Sequence, residues 1–216
     1  MDITIAEELL LLAHDEETGR PHIREVAVDV SVTGAVLAEL TLAGRLHIVE
    51  DRFEALDPTP TGDEELDGVL AAIAESQPRE ATWWLDRLTY PKRRWSLLKR
   101  LAERGVLSEE HGRVLGLFRT TQYPERDPSV EREVRRRVGD VLDGAAPDER
   151  VSVLVALLRA CDLDRMLFPG ARRDRVKEVA EGQWSGTAVA ESIAAINTAV
   201  RINTSLAMHN IIPAGD

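Results

Sequence analysis

Apolar positions three and four residues apart recur along most of the chain, and this spacing predicts a mainly helical protein. Thr4 and Glu7 form a capping-box pair ahead of four consecutive leucines. The first helix is therefore expected to begin near residue 4 and to be buried on most sides. Further helices are predicted over residues 31–43, after residue 61, around residue 83, from residues 91 and 129, and over residues 151–160, 171–181 and 185–210.

The longest apolar pattern covers residues 185–210, where Glu191 and Arg201 are the charged side chains. A helix that is apolar nearly all round belongs at the centre of a helical domain. The chain contains no repeat, low-complexity tract or long linker. We therefore predict one helical domain over residues 1–216, with amphipathic helices around a buried hydrophobic helix and with short β-hairpins.

Two short segments are predicted to form β-hairpins, and the first alternates polar and apolar residues, which is typical of strands. In the first, residues 45–57, we expect Leu46, Ile48 and Phe53 to face the core. In the second, residues 113–128, one strand is predicted over residues 114–120, and residues 122–128 are expected at or near the tip. Tyr123 would be the one amphipathic ring at that tip. This composition favours packing against another subunit, or exposure to solvent, over insertion into lipid.

The net charge of −11 is unevenly distributed. Residues 1–90 carry 6 Lys and Arg against 20 Asp and Glu, whereas residues 91–137 carry 13 against 7. An acidic protein with one basic segment is suited to local binding of an anionic partner. Charge alone leaves a second interpretation open, in which the arginines form the solvated faces of surface helices.

The sequence offers no catalytic constellation. The five histidines are scattered and Cys161 lies in an apolar helical run, so neither a metal site nor a nucleophile is predicted. Nucleotide-binding glycine loops and a nucleophile elbow are absent. The N-terminus is acidic rather than basic, and no apolar run reaches the roughly 20 residues that span a bilayer. We expect a non-enzymatic cytoplasmic protein without a cofactor.

Residues 91–124 join a basic helix, a glycine stop and a hairpin, and this combination supports two binding functions. The first is a winged-helix DNA-binding regulator in which Lys and Arg contact phosphates. The acidic charge of the rest of the molecule argues against a nucleic acid partner. The second is peripheral binding at an anionic membrane surface, where basic residues at the helix start would hold phosphorylated headgroups.

Several blocks, in order, resemble the Golgi phosphoprotein 3 family, and the chain looks like one of its bacterial members. The most specific are Gly34-Ala-Val-Leu-Ala-Glu-Leu-x-Leu-x-Gly-Arg-Leu and Arg104-Gly-Val-Leu, and the others lie in residues 3–20, 60–73 and 119–124. The resemblance implies a helical fold around a buried hydrophobic helix, with a projecting hairpin that contributes to membrane contact and oligomerisation. It implies no enzymatic activity. Eukaryotic members bind phosphatidylinositol 4-phosphate on Golgi membranes and retain glycosyltransferases.

The resemblance also implies where a headgroup would bind. The family pocket uses a tryptophan and three arginines, and these positions fall on Arg24, Thr33, Pro91 and Arg94. Arg94 is the one match. Lys92 and Arg93 are substitutes for the missing arginines, and a helix N-terminus attracts phosphate through its free amides. We therefore predict that Lys92, Arg93 and Arg94 bind an anionic, phosphoinositide-type headgroup, and that the 113–128 hairpin is a site of homo-oligomer contact.

Overall fold

The computed structural model describes residues 3–114, 118–182 and 187–209. Within these residues it contains ten helices and two antiparallel pairs of strands, which confirms the predicted fold class. The helices are α1 Ile5–Ala13, α2 Glu25–Leu42, α3 Glu64–Ala74, α4 Ala81–Leu88, α5 Pro91–Glu103, α6 Pro128–Leu142, α7 Glu149–Ala160, α8 Leu163–Leu167, α9 Arg173–Glu181 and α10 Thr187–His209. The strands are β1 Leu46–Val49, β2 Arg52–Ala55, β3 Glu110–Val114 and β4 Phe118–Gln122. No helix in this part of the chain is both long enough and apolar enough to span a bilayer.

Helix α1 begins as the sequence predicts. The Thr4 hydroxyl accepts a hydrogen bond from the Glu7 amide, and the Glu7 carboxylate accepts one from the Thr4 amide. The sequence also predicts a capping box from Thr61 and Glu64 ahead of α3, and this prediction is wrong. The cap of α3 is Asp63, which accepts from the amides of Glu65 and Leu66. Thr61 instead donates to the Asp67 carboxylate.

Helix α2 is the buried centre of the fold, and nearly every residue from Ala27 to Leu40 is buried. The sequence pattern had indicated the later segment of residues 185–210 for this position. That assignment is wrong, because one side of α10, including Ala194, Thr198 and Arg201, is exposed to solvent. Helices α2 and α10 cross closely at Gly34, where a Cβ atom would lie 2.4 Å from Cγ2 of Val200.

The acidic N-terminal helix holds arginines from three later helices. Glu7 is fully buried and lies 2.8 Å from the Nε atom of Arg100 on α5. Glu8 contacts Arg137 of α6 at 2.6 Å and Arg150 of α7 at 3.3 Å. Much of the uneven charge seen in the sequence is therefore neutralised inside the fold, where acidic residues from the first 90 positions pair with arginines that follow.

The first hairpin matches its prediction, since Leu46, Ile48 and Phe53 are all buried. The tip predicted for the second hairpin at residues 122–128 is wrong. Strands β3 and β4 pair with Val114 opposite Phe118 and Glu110 opposite Gln122, so residues 122–128 follow the base of the hairpin. Tyr123 is buried there, with its ring centroid 6.0 Å from that of Trp95. Residues 115–117 lie outside the described residues.

Candidate functional site

The candidate site is the N-terminal end of α5, where the sequence concentrates positive charge. Tyr90 occupies the cap position in an extended conformation and makes no side-chain capping bond, and Pro91 is the first helical residue. Pro91 has no amide hydrogen, and its fixed φ angle is compatible with the first turn of a helix. The backbone amides at this end form the positive pole of the helix.

Three consecutive basic residues follow the proline, and they differ in their exposure to solvent. Lys92 is exposed on the outside of the helix. Arg93 and Arg94 are only 3 % and 1 % exposed, and both side chains point into the fold. An arginine that is buried to this degree requires partners for its charge and its five donors.

Arg93 is held by a set of oxygens from α2, α3 and the end of α4. Its Nη1 atom donates to the Thr33 hydroxyl at 3.2 Å and to the Leu88 carbonyl at 2.7 Å. Its Nε atom lies 3.2 Å from the Glu65 carboxylate. Nη2 donates to the Tyr90 hydroxyl, and the guanidinium carbon lies 4.5 Å from the centre of the same ring.

Arg94 is held by α2. Its Nε atom donates to Oδ1 of Asp29 at 2.8 Å, and its Nη2 atom donates to Oε2 of Glu25 at 2.7 Å. Burial raises the pKa of the Asp29 carboxyl above its ordinary value, although the hydrogen bond and the charge of Arg94 act to lower it. The two helices are thus joined by an ion pair that is largely shielded from water.

Contacts from the start of α5 reach α2 at or next to two of the positions that correspond to the family pocket. Arg93 bridges from α5 to Thr33, and Arg94 bridges to Glu25, the residue after Arg24. The start of α5 therefore packs against α2. Of the three predicted headgroup contacts, it leaves Lys92 at the surface and uses Arg93 and Arg94 for contacts within the protein. Their binding of a headgroup stays a prediction.

The sequence analysis missed exposed aromatic rings in the segment that precedes Lys92. Trp83 on α4 and Tyr90 after it are each 41 % exposed. The guanidinium of Arg79 lies 5.4 Å from the centre of the Trp83 ring, and exposed Arg87 is one turn further along α4. The four-residue spacing of Trp83 and Arg87 could have revealed this face, because residues four apart share one side of a helix. We name Arg79, Trp83, Arg87, Tyr90 and Lys92 the junction surface.

The junction surface combines cations with amphipathic rings, although two exposed carboxylates, Glu80 and Asp86, lie in the same segment. Tyrosine and tryptophan rings of this kind are enriched where proteins meet the membrane–water interface. Trp84, the neighbour of Trp83, is in contrast buried in the core. This agrees with the expectation from helical geometry that at most one of the two rings serves the core.

The described residues contain no group of three or more His, Cys, Asp or Glu side chains placed to hold a metal ion. Burial raises the pKa of the Cys161 thiol to about 11. Its Sγ atom donates to the Leu157 carbonyl at 3.2 Å. At neutral pH the thiol is therefore protonated, and its surroundings are those of a buried apolar side chain.

Comparison with known proteins assigns the family. Residues 5–196 match the sequence model of the Golgi phosphoprotein 3 (GPP34) family, which is most of the chain. The chain belongs to this family. It is 29% identical over 163 residues to "Vacuolar protein sorting-associated protein 74" of Eremothecium gossypii, and 29% identical over 163 residues to the protein of the same name in Schizosaccharomyces pombe.

Each match covers 65% of this chain, and it covers 49% of the first relative and 48% of the second. The chain thus spans about half the length of these relatives. The family match confirms the resemblance stated from the sequence blocks. It gives the winged-helix DNA-binding alternative no support, and two of the arginines that the alternative would place on DNA phosphates are buried among carboxylates.

Proposed function

We propose that this protein is a non-enzymatic domain that binds peripherally to an anionic membrane surface and recognises a phosphoinositide-type headgroup, with phosphatidylinositol 4-phosphate as the model ligand. The observation that carries the proposal is the junction surface, which combines exposed Lys92 at the start of α5 with the exposed rings of Trp83 and Tyr90 in the segment before it. Membership of the Golgi phosphoprotein 3 family supports the same function. We also propose that residues 1–216 form one such domain.

In this proposal Lys92 and the amide end of α5 contact phosphate, and the two rings lie at headgroup depth. A helix N-terminus binds phosphate through its free amides and the helix dipole. Each Lys or Arg near an anionic surface contributes about 1 kcal/mol of binding free energy. Arg79 and Arg87 add to this attraction. Because these charged side chains are exposed, salt screens their attraction to the membrane, and binding is expected to weaken at high salt.

Arg93 and Arg94 have a supporting role in this proposal. Since their donors are occupied by Glu65, Asp29 and Glu25, a headgroup could reach them only by displacing these carboxylates. The arginines fix the start of α5 against α2 and so hold Lys92 at the surface. Substitution of either arginine is therefore expected to alter lipid binding through the fold, and its effect must be separated from loss of stability.

Liposome co-sedimentation tests the proposal. Vesicles of phosphatidylcholine alone are compared with vesicles that also contain phosphatidylinositol 4-phosphate or phosphatidylglycerol. Lys92→Glu is expected to release the protein from the anionic vesicles. Lys99→Glu is the matched control, because Lys99 is an exposed lysine on the same helix, two turns further along. Equal binding of both variants, or no binding of the wild type to any anionic vesicle, would contradict the proposal.

We further propose that a second copy of the chain docks on the β3–β4 hairpin. Among the described residues these strands pair only with each other, so each has a free edge. Free edges offer unpaired backbone groups to another strand. Replacing residues 112–120 with a Gly-Ser linker retains buried Tyr123, and mass measurement by light scattering should then show a smaller assembly. An unchanged mass would rule out the hairpin as the contact.

A further inference from the structure

A short apolar segment connects α8 to α9 at the surface. Residues 166–171 are six consecutive uncharged residues, Met-Leu-Phe-Pro-Gly-Ala, and an arginine stands at each end, Arg165 and Arg172. Surface turns are usually built from Gly, Pro, Asn, Asp and Ser, so a run that begins Met-Leu-Phe is unusual there. We name residues 165–172 the α8–α9 turn.

The outermost residues of the α8–α9 turn face solvent. The Ala171 amide donates to the Phe168 carbonyl at 3.1 Å, which places Pro169 and Gly170 at the corners of a β-turn. Both corner residues are exposed, and a Cβ atom on Gly170 would meet nothing within 4 Å beyond its chain neighbours. Met166, two residues before the β-turn, is 47 % exposed. The turn therefore has open space around it and presents a large apolar side chain.

The base of the α8–α9 turn is held by the body of the protein. Asp164 is buried, and its Oδ2 atom accepts a hydrogen bond from Nη1 of Arg173 at 2.9 Å. This ion pair joins α8 to the start of α9 across the turn. Leu167 and Phe168 are partly buried and pack against the hydrophobic core. The exposed apolar residues are thus supported from both sides.

The two arginines of the α8–α9 turn are available to a partner outside the chain. Arg165 is exposed and makes no side-chain hydrogen bond or ion pair to any described residue. Arg172 is 78 % exposed and pairs with Asp174, which is itself 68 % exposed. An ion pair between two exposed side chains is worth little, so a phosphate can replace the carboxylate. Exposed Asp162 precedes the turn, but no acidic residue lies between the two arginines in the sequence.

We propose that the α8–α9 turn is a second membrane contact, which inserts into the interface of an anionic bilayer; this inference rests on the membrane binding proposed above. Exposed apolar patches with a polar rim mark interaction surfaces. Met166 and the exposed part of Phe168 would lie at the boundary between headgroups and acyl chains, and Arg165 and Arg172 would bind lipid phosphates. A bilayer offers this arrangement, because its phosphates lie directly above its apolar layer. The turn would respond to negative charge and not to one particular headgroup.

A fluorescent probe in the turn tests this contact directly. Met166→Cys provides an exposed thiol for the environment-sensitive dye NBD, whereas native Cys161 is 1 % exposed and should not react. Vesicles of phosphatidylcholine and phosphatidylglycerol should raise the NBD emission and shift it to shorter wavelength, and vesicles of phosphatidylcholine alone should not. Leu56→Cys is the matched control, because Leu56 is an exposed apolar residue outside the turn. Unchanged emission at position 166 in protein that sediments with the anionic vesicles overturns this proposal and leaves the junction surface unaffected.

Co-sedimentation measures the contribution of the turn to binding. Met166→Glu should lower the partition coefficient on phosphatidylglycerol vesicles at least about 5-fold, because a charged side chain replaces an apolar one in the interface, and Met166→Leu should retain binding. The loss should be similar on vesicles that contain phosphatidylinositol 4-phosphate. Leu56→Glu introduces the same charge at an exposed apolar position and should have little effect. Equal losses for Met166→Glu and Leu56→Glu would indicate general charge repulsion and would overturn the proposal.

Comparison with Lys92→Glu separates this proposal from the junction surface. A loss of binding in Met166→Glu but not in Lys92→Glu supports the turn and contradicts the role of Lys92. A loss in Lys92→Glu but not in Met166→Glu supports the junction surface and excludes the turn. Losses in both variants support both contacts, and a wild-type protein that binds no anionic vesicle overturns both.

Discussion

Nε of Arg94 donates a hydrogen bond to Oδ1 of Asp29 over 2.8 Å, and both side chains lie inside the fold. The two residues are 65 positions apart, on α5 and α2. The contact pairs an arginine of the basic middle segment with a carboxylate of the strongly acidic first part of the chain. In the sequence, the clustered arginines suggest a surface that binds polyanions. In the structure, Arg93 and Arg94 instead pair with carboxylates inside the fold.

Replacing Arg94 tests whether this pair holds α5 in place. Arg94→Ala leaves the Asp29 carboxylate buried without its cation, and removal of one partner of a buried pair typically costs about 3–5 kcal/mol. We expect the free energy of unfolding, measured by urea denaturation, to fall by an amount in this range. Lys92→Ala at the neighbouring exposed position should change it by less than about 0.5 kcal/mol. If Arg94→Ala abolished vesicle binding while retaining full stability, Arg94 would instead be a direct headgroup contact.

The sequence predicts local features well. The capping box of α1 depends on Thr4 and Glu7, three positions apart, and the inward face of the first hairpin depends on alternation over a few residues. Both features are determined by residues close together in the sequence, so the sequence pattern is enough to predict them. The start of α2 predicted at Ser31 is too late, because Ser31 lies inside the helix. Its hydroxyl instead donates to the Ala27 carbonyl inside a helix that begins at Glu25.

The candidate site depends on contacts that no local pattern contains. Arg93 meets Glu65 from 28 positions away, and Arg94 meets Glu25 from 69. A helical pattern classes both arginines as polar and therefore as exposed, although an arginine can be buried once its charge is paired. Which carboxylates lie nearby is decided by the packing of α2 and α3 on α5. The family resemblance predicts a headgroup site at the start of α5, and the structure shows which side chains face outward there.

The adjacent tryptophans of α4 provide a matched pair of substitutions. Trp83 is half exposed on the junction surface, and Trp84 is in the core. Trp83→Ala should weaken binding to vesicles that contain phosphatidylinositol 4-phosphate and should leave stability nearly unchanged. Trp84→Ala should lower the free energy of unfolding by about 3–5 kcal/mol through the cavity it creates. Co-sedimentation and urea denaturation of both variants separate the roles. Full vesicle binding by Trp83→Ala would exclude its ring from the membrane contact.

The crossing of α2 and α10 at Gly34 predicts a specific energetic coupling. Alanine is a better helix former than glycine by about 1 kcal/mol. At this position, however, its Cβ atom would lie 2.4 Å from Cγ2 of Val200, and overpacking of a core costs about 1–3 kcal/mol. We expect Gly34→Ala to lower the free energy of unfolding, and Val200→Ala in the same chain to recover part of the loss. A double-mutant cycle in urea measures the coupling. Additive effects would show that the helices do not meet at these two residues.

His14 and Glu125 line one small cavity, and each has an unusual pKa. Burial lowers the pKa of His14 to about 4. Burial, together with the nearby carboxylates of Glu131 and Glu16, raises the pKa of Glu125 to about 7. Near pH 6 the folded protein therefore carries a proton on Glu125 and none on the His14 ring. The unfolded chain has the opposite preference, because the ordinary pKa values are about 4.3 for Glu and about 6.5 for His.

The two groups act on stability in opposite directions as pH changes. The raised pKa of Glu125 means that the folded state binds more protons between about pH 4.5 and 7, so this contribution to stability is lost as pH rises through that window. The lowered pKa of His14 means that the folded state binds fewer protons between about pH 4 and 6.5, so its contribution is lost as pH falls. Between about pH 4.5 and 6.5, where the two pH ranges overlap, the opposite effects of Glu125 and His14 on the free energy of unfolding largely cancel.

Single substitutions should therefore reveal how each group alone makes the free energy of unfolding depend on pH. In Glu125→Gln the His14 contribution remains, so the free energy of unfolding should fall as the pH is lowered from 6.5 to 4, and stability at pH 8 should exceed that of the wild type by about 1 kcal/mol after allowance for solvent screening. In His14→Gln the slope should reverse, with stability rising as the pH is lowered from 7 to 4.5. Urea denaturation across this pH range measures both. Parallel pH profiles for the wild type and the two variants would mean that neither group titrates with a shifted pKa in the folded protein.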